Sequence, residues 1–498
     1  MKNVFYFFSI LFISHTINAQ TWDWAKSLNV GLEDLGTSIG ADKYGNVYIT
    51  GRSYYYASGG GGSYYYEMFL KFSPNGNLIW QDTIPFYKTR SVTDADGNTY
   101  IAGVHTPKIA KYNSSGQLIW VKNTPNAGFN DLALFPEGGV VAVGGNAQGL
   151  PLSFDNIALS GNNRFFTARC DKDGNWLWAI DDDYFSASSI TITKDKKIIE
   201  GGYAGYTNPF YIKRYDENGN FEMGMAPNLK QGIKDHTVDM DGNIYAIGEL
   251  GGTDSLIVDG NLYQNFCPYA NVFIIKYNSQ GISQWVKTFL GYTTGEKIIT
   301  DKNNNIYIAG QYDDSIKTDA FNYVGANQAF VVKIDSGGKT LWLKTSTALN
   351  AITSTGSGIL DMVLDPSENL FMTGWVGGKE SFDNTTLNVN QSYTDFLVAK
   401  INQPTVASVS NTNIISSEFH VYPNPTGGVF QITYFSTEKN NIQLNIIDSK
   451  GQMIFSEPAP QFQGEYKKVI DLSKQAKGIY YIEIISGRKK SVKKIILN

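Results

Sequence analysis

A chain of 498 residues with a formal net charge of −5 has room for more than one domain, and its charge balance does not select nucleic acid as a partner. Two cysteines exclude a disulfide framework. Fifty glycines and 14% aromatic residues suit a loop-rich β protein.

The chain begins with one cation, Lys2, and an apolar run from Val4 to Ile13, then Asn18-Ala19 before Gln20. This pattern predicts a secretory signal over residues 1–19, cleaved after Ala19. The run is too short for a stop-transfer helix, and no later stretch approaches a transmembrane span.

From Asp42 the sequence repeats. Asp42–Gly51 reads Asp-Lys-Tyr-Gly-Asn-Val-Tyr-Ile-Thr-Gly and returns at Asp94–Gly103, Asp239–Gly248, Asp301–Gly310 and Asp365–Gly374. Looser copies occupy Leu134–Gly144 and Thr193–Gly201. Each predicts a tight turn, with Gly supplying positive φ, followed by a β-branched and aromatic strand covered on both faces. A short apolar run before each turn completes a hairpin. A third strand follows, carrying Lys71, Lys111, Arg169, Lys213, Lys276, Lys333 or Lys400. A fourth carries Trp80, Trp120, Trp178, Met223, Trp285 or Trp342. The fourth strand missing after Lys400 is supplied by Trp22-Asp-Trp24-Ala-Lys26 near the start of the chain. The expected fold is therefore all-β: a seven-bladed β-propeller over residues 20–403, with four strands per blade, closed by the N-terminal strand. The period is about 55 residues.

Asp-x-x-Gly-Asn-x-Tyr-Ile-x-Gly, followed by Phe-x-x-Lys-Tyr-Asn-x-x-Gly and Trp-x-Lys, resembles the bacterial β-propeller repeats called SBBP repeats, over roughly residues 22–402. Units three and four depart from it, with Pro136-Glu-Gly-Gly139 and Lys194-Asp-Lys-Lys197 at the turn. The resemblance implies a fold and no activity.

Residues 404–417 read as a linker. Beyond them, Tyr422-Pro423-Asn424-Pro425 with Gly428 forms a rigid turn, and alternating strands are expected at Phe430–Phe435, Ile442–Ile447, Gln452–Phe455, Tyr466–Leu472, Ile479–Ile485 and Val492–Leu497. This predicts a small β-sandwich over residues 418–498. With Asp448–Gly451 and Gly478–Tyr481, it resembles the type IX secretion system C-terminal sorting domain. The resemblance implies the type IX machinery as a partner, passage through the periplasm, and a secreted or outer-membrane-surface location.

Asp94-Ala-Asp96-Gly-Asn98, Asp171-Lys-Asp173-Gly-Asn175 and Asp239-Met-Asp241-Gly-Asn243 resemble the opening of a calcium loop but lack its helices and closing glutamate. They read as Asx-stabilised turns, and neither metal nor cofactor is expected. The mature chain has three histidines, His105, His236 and His420, and no Gly-x-Ser-x-Gly or His-Glu-x-x-His motif. Cys170 reads as a buried apolar side chain, unpaired with Cys267.

The irregular inserts and links carry the binding candidates. Tyr55 and Tyr65 lie in the Tyr54–Tyr66 insert, around the Gly59–Gly62 run. Phe86 and Tyr87, and Asp181, Asp182, Asp183 and Tyr184, lie in links between units. Ser153-Phe-Asp-Asn156 and Ser381-Phe-Asp-Asn384 recur in two further inserts. The expectation is one face of tyrosines and carboxylates that binds an extracellular glycan or protein without catalysis. The alternative is a hydrolase or lyase using carboxylates among Asp181–Asp183 on polysaccharide.

Overall fold

The computed structural model describes residues 20–56, 63–146, 150–159, 165–182, 185–204, 210–225, 233–251, 255–258, 261–264, 271–349, 356–390, 393–402, 419–448, 452–486 and 489–498. The expected signal, the linker, the glycine run, Cys267, Asp183 and Tyr184 lie outside these residues. The chain divides into two compact units, Met1–Gln403 and Pro404–Asn498. All regular structure among the described residues is β.

In the first unit each hairpin, Lys/Arg strand and Trp strand of the sequence becomes one antiparallel meander. The first runs through Glu33–Ala41, Val47–Tyr56, Ser63–Phe72 and Leu78–Ile84. The second takes Thr89–Thr93, Thr99–Gly103, Lys108–Tyr112 and Leu118–Asn123. The third takes Gly128–Leu134, Val140–Gly145, Phe165–Cys170 and Trp176–Asp182, and the fourth Phe185–Ile192, Ile198–Ala204, Phe210–Tyr215 and Phe221–Met225. The fifth takes Ile233–Val238, Ile244–Leu250, Asn271–Tyr277 and Ser283–Thr288. The sixth takes Leu290–Thr300, Ile306–Lys317, Gln328–Ile334 and Thr340–Thr345. After it, Ser357–Leu364, Leu370–Gly377 and Thr394–Ile401 are joined by Trp22–Leu28, which pairs antiparallel with Thr394–Ile401. The meanders do not merge into one closed sheet. A single parallel pair, Glu33 with Thr394, links the first to the last.

The second strands are buried on both faces, as their apolar runs require: Val47, Tyr48 and Ile49 are sealed, as are Ile306, Tyr307 and Ile308. The Asp at the start of each turn is held by donors. Asp42 Oδ1 accepts from the N–H groups of Tyr44 and Asn46, at 2.9 Å each, while Oδ2 takes Asn46 Nδ2 and the Tyr48 hydroxyl. Asp239 and Asp301 repeat this arrangement with Tyr245 and Tyr307. Asp94 and Asp171 also spend their carboxylates on backbone N–H groups and an asparagine, which is Asx-turn chemistry.

What binds one meander to the next is the fourth-strand indole. Trp24, Trp80, Trp120, Trp178 and Trp285 lie across the turn glycines Gly76, Gly116, Gly174, Gly219 and Gly338 of the following meander. A Cβ on Gly76 or Gly174 would stand 3.0 Å from the ring, and both glycines have φ near +80° (75° and 86°), so two constraints select glycine there. The indole Nε1 of Trp24, Trp120, Trp178 and Trp285 donates to a carbonyl of that turn: Pro74, Lys172, Glu217 and Ser336, at 3.1–3.2 Å. Trp80 takes the same place over Gly116, but its Nε1 finds no acceptor. Met223 replaces the indole over Gly281.

The repeated cation joins the same contact. Lys71, Lys111, Arg169 and Lys276 donate to the turn carbonyls of Ser114, Lys172, Glu217 and Ser336 in the next meander. Each also lies over a ring of its own meander's hairpin: Lys71 on Tyr48 at 4.8 Å, Lys111 on Tyr100 at 4.9 Å, Arg169 on Phe135 at 3.5 Å and Lys276 on Tyr245 at 5.3 Å.

The second unit departs from the six short strands expected. Val429–Asp448 and Met453–Asp471 are two long strands paired along their length, with irregular register between Ser436 and Ile442. Gly478–Ser486 and Lys489–Leu497 extend the sheet, and His420–Tyr422 pairs at its other end. The strands run through the irregular stretch without a turn, and Phe430, Ile432, Leu444, Ile446, Ile482 and Ile495 meet in one core. Asn424 fastens the Tyr422–Pro425 turn to the last strand. Its Nδ2 donates to Lys494 O at 2.8 Å, and its Oδ1 accepts from Ile496 N at 3.0 Å.

Trp24 is half-buried, packs on Phe371, and reaches Pro74 and Gly76. Trp24→Ala is therefore expected to destabilise the first unit by about 2–3 kcal/mol, somewhat below a fully sealed indole. Gly76→Ala should cost about 1–3 kcal/mol through its backbone and the ring above it. Thermal unfolding followed by circular dichroism checks both, and an unchanged midpoint for either contradicts the clamp.

Candidate functional site

The Tyr54–Tyr66 insert is a continuation of the first meander's central hairpin, with Tyr54 opposite Tyr65 and Tyr55 opposite Tyr64. Alternation along the strands puts the rings on both faces. On one face Tyr55 meets Tyr66 at 5.4 Å, edge to face, and its hydroxyl donates to Val30 O. Tyr55 is thus committed to holding the hairpin against the Val30–Gly31 turn. On the other face Tyr54 and Tyr65 are T-shaped at 4.6 Å, and Tyr65 meets Tyr87 at 5.8 Å. Tyr87 in turn lies 5.6 Å from the His105 ring, tilted by 33°. The structure therefore brings together Tyr65 and Tyr87 from the expected set and adds Tyr54 and His105. Tyr65 is 46% exposed and Tyr87 38%.

Phe86 does not belong to this surface. It is 8% exposed and packs in the core with Tyr48, Phe69 and Ile84. Phe86 is buried in that core while the neighbouring Tyr87 stands at the surface. The link is pinned by Glu67, whose buried carboxylate accepts from Lys88 N at 2.7 Å and Thr89 Oγ1 at 3.0 Å. Burial raises the Glu67 carboxyl, and these two donors oppose the shift.

Asp181 is exposed on the third meander's outer strand, opposite Phe166. Asp182 continues that strand opposite Phe165. Of the acidic run, then, only the strand positions are placed.

The Ser-Phe-Asp-Asn inserts face inward rather than toward a ligand. Phe154 is sealed against Phe166 and Trp176 at 4.9 and 4.8 Å, and Phe382 is sealed against Trp22 at 5.0 Å. The aspartate that follows sits at the hairpin tip and reaches the preceding meander's Trp-x-Lys strand. Asp155 meets Lys122 at 3.2 Å and Asp383 meets Lys344 at 2.7 Å. Asp319 meets Lys287 at 2.7 Å in the same way. The sequence held a signal for this: Trp120-Val-Lys122, Trp285-Val-Lys287 and Trp342-Leu-Lys344 each precede a unit with such an insert. Trp80-Gln-Asp82 precedes the second unit, whose link is short.

A second cluster of chemistry-bearing side chains joins the first strands. A bulge places Asp131, Ser189, Asp235, Lys297 and Asp361 at one level. Lys297 lies 3.3 Å from Asp235 and 3.8 Å from Asp361. Burial pulls the Lys297 ammonium down, but the carboxylates of Asp235, Asp361 and Asp131 outweigh it and hold it above the usual lysine value. Burial pushes Asp361 up to about 6, opposed by Lys297. Ser189 Oγ lies 2.6 Å from His236 Nδ1, and His236 Nε2 lies 3.0 Å from Ile199 O. A carbonyl only accepts, so Nε2 carries the proton and Nδ1 accepts from the serine. Burial lowers His236 to about 4, so it is neutral. Both side chains are 2% exposed, which makes the pair a satisfied contact between neighbouring meanders with no path for a substrate.

Cys170 is buried and unpaired, its thiol pushed up to about 12 by burial. Among the described residues no group of three or more His, Cys, Asp or Glu side chains is arranged to hold an ion, and no helix is long and apolar enough to cross a membrane.

Residues 420–498 match the secretion system C-terminal sorting domain. The sorting domain implies export by the type IX secretion machinery to the cell surface or the extracellular space. The chain is 26% identical over 240 residues to the uncharacterized WD repeat-containing protein L264 of Acanthamoeba polyphaga mimivirus, a match spanning 44% of this chain and 14% of that protein. Similar solved structures include the Dos1 propeller, at 11% identity and TM-score 0.45, covering 77% of this chain and 95% of that one. U3-55K gives 8% and 0.47 over 76% and 99%. The virginiamycin B lyase of Staphylococcus aureus gives 13% and 0.45 over 76% and 99%. The protein is thus an all-β chain with propellers among its structural neighbours and a sorting domain at its end.

On the first strand of the seventh meander's insert hairpin, Lys379–Phe382, Glu380 is fully buried with Ser346 and Ser357, and burial raises its carboxyl to about 7. The unfolded chain ionises Glu380 near its ordinary 4.5, whereas the fold holds the proton to about 7. Stability therefore falls as pH rises across that window and levels above it. Glu380→Gln should remove this fall, so the parent's stability drops by about 3 kcal/mol relative to the variant between pH 4.5 and 7. Denaturant midpoints across the pH range check it, and parallel profiles contradict it.

Proposed function

We propose that the protein is an exported, non-catalytic binding protein built on a seven-bladed propeller of the SBBP-repeat type. Its mature first unit spans residues 20–403, after removal of the signal 1–19. The meanders are its blades, and the N-terminal strand closes the ring. The closure is supported by the pairing of Trp22–Leu28 with Thr394–Ile401 and by Trp24, which meets Pro74 and Gly76 as the other fourth-strand indoles meet their next turns. Contacts between first strands support it too. Asp131 accepts from Ile190 N, Asp235 from Ile298 N, and Asp361 from Ile39 N, which returns to the first blade.

The observation that carries the export reading is the sorting domain at residues 420–498. Deleting residues 418–498 should leave a folded propeller in the periplasm. Fractionation with immunoblotting tests this, and undiminished appearance of the truncated protein outside the cell overturns it.

The binding reading rests on the exposed Tyr65 and Tyr87 rings on pinned backbone, with the exposed Asp181 as a second candidate; Asp183 and Tyr184 lie outside the described residues. Large aromatic faces at low entropic cost suit an extracellular glycan or protein. A pull-down with the mature protein from cell-surface and extracellular material should recover a ligand that stays unmodified. Recovery of nothing sinks the binding reading. Release of sugar fragments from polysaccharide would turn it to the hydrolase or lyase alternative.

A further inference from the structure

We infer that the row Tyr54, Tyr65, Tyr87 and His105 is a glycan-binding platform, taking a polysaccharide chain laid across the outer faces of Tyr65 and Tyr87. The inference rests on the binding reading above and names the ligand class and the place.

Three features single out this row. First, it stands where the neighbouring units carry a cover. In the third, sixth and seventh units an insert reaches the preceding Trp-x-Lys strand through Asp155, Asp319 or Asp383. The second unit has only the link Val104–Pro107, and Asp82 stands where those strands have lysine. That link carries no aspartate to reach the first unit's fourth strand. Second, the rings are fixed in place. Tyr54 and Tyr87 approach Tyr65 edge to face, at 71° and 70°, restraining its rotation. The backbone around Tyr87 is tied down by Glu67 at Lys88, by Val104 N donating to Lys88 O at 2.7 Å and by His105 N donating to Tyr87 O at 3.3 Å. Phe86 anchors the same link in the core. Rings held this way lose little entropy on binding. Third, the surface is aromatic and hydroxylated rather than aliphatic. Tyr65 and Tyr87 are exposed on it, and Arg52, on the same face of the hairpin, and His105 add polar groups beside them. A sugar ring has an apolar C–H face and a hydroxyl rim. Phenol rings meet the face, and Tyr, Arg and His groups meet the rim. A stable protein–protein interface would need a larger, well-packed patch of about 800 Å² per partner.

The test uses the full mature protein in affinity electrophoresis through gels containing neutral polysaccharides (xylan, laminarin, mannan) or acidic ones (alginate, pectate). At least one should retard the parent. Tyr65→Ala and Tyr87→Ala should each weaken that retardation about tenfold in apparent Kd, while Tyr87→Phe keeps most of it. Unchanged melting temperatures for the Tyr87 variants guard against misfolding, and His105→Ala, at an exposed link position, gives an independent loss of several-fold. Parent-like retardation of both alanine variants overturns the site. Passage of the parent through every gel, while it still captures a protein ligand in the pull-down, overturns the glycan class and leaves the binding reading standing. Failure of gels and pull-down together removes both.

Discussion

An indole laid over the turn glycine of the next meander is the contact on which the first unit depends. It explains why three residue types recur together. The tryptophan supplies area and an N–H donor, the glycine supplies the positive φ and the space beneath the ring, and the Lys/Arg strand adds a second donor to the same turn. Removing any one leaves the others poorly engaged: a Cβ on the glycine lifts the indole, and without the indole the turn carbonyl keeps only the cation. The repeated cation is thus part of the scaffold, because a ligand site has no use for so many copies.

The first strands add a polar counterpart. Asp131, Asp235 and Asp361 reach across to a backbone N–H of another first strand, and Lys297 compensates two of these carboxylates at short range. Buried ionic groups of this kind contribute little net stability against apolar packing, but they penalise wrong register when a partner is missing. The indole contacts supply attraction between meanders, and the aspartates fix which backbone amide each strand meets.

The repeated features were readable because repetition exposes them: the turn Asp, the turn Gly, the cation and the Trp appear in fixed order, although in the fourth unit Arg214, and not the expected Lys213, donates to the next turn at Ser279 O. The inserts were harder. Phe154 and Phe382 look like display residues in isolation, and their burial depends on a lysine one unit earlier in the chain, a relation that spacing within a unit does not reveal. Phe86 and Tyr87 are adjacent aromatics in one link, and only the pinning by Glu67 and the core decides which of them faces water. His105 carried no assigned role, since nothing in the sequence places it beside Tyr87. In the sorting domain the apolar alternation was correct, but a register irregularity inside a continuous strand leaves no mark in the sequence, so two long strands read as four short ones.

The central claim is that the N-terminal strand completes the last meander and locks it to the first. Native-state hydrogen exchange resolved along the chain tests it most directly. The account predicts that amides of Trp22–Leu28 are protected to the same opening free energy as those of Thr394–Ile401 and of the first meander, because all three open together. Exchange of Trp22–Leu28 at the rate of an unstructured peptide, with the first and last meanders still protected, would contradict it.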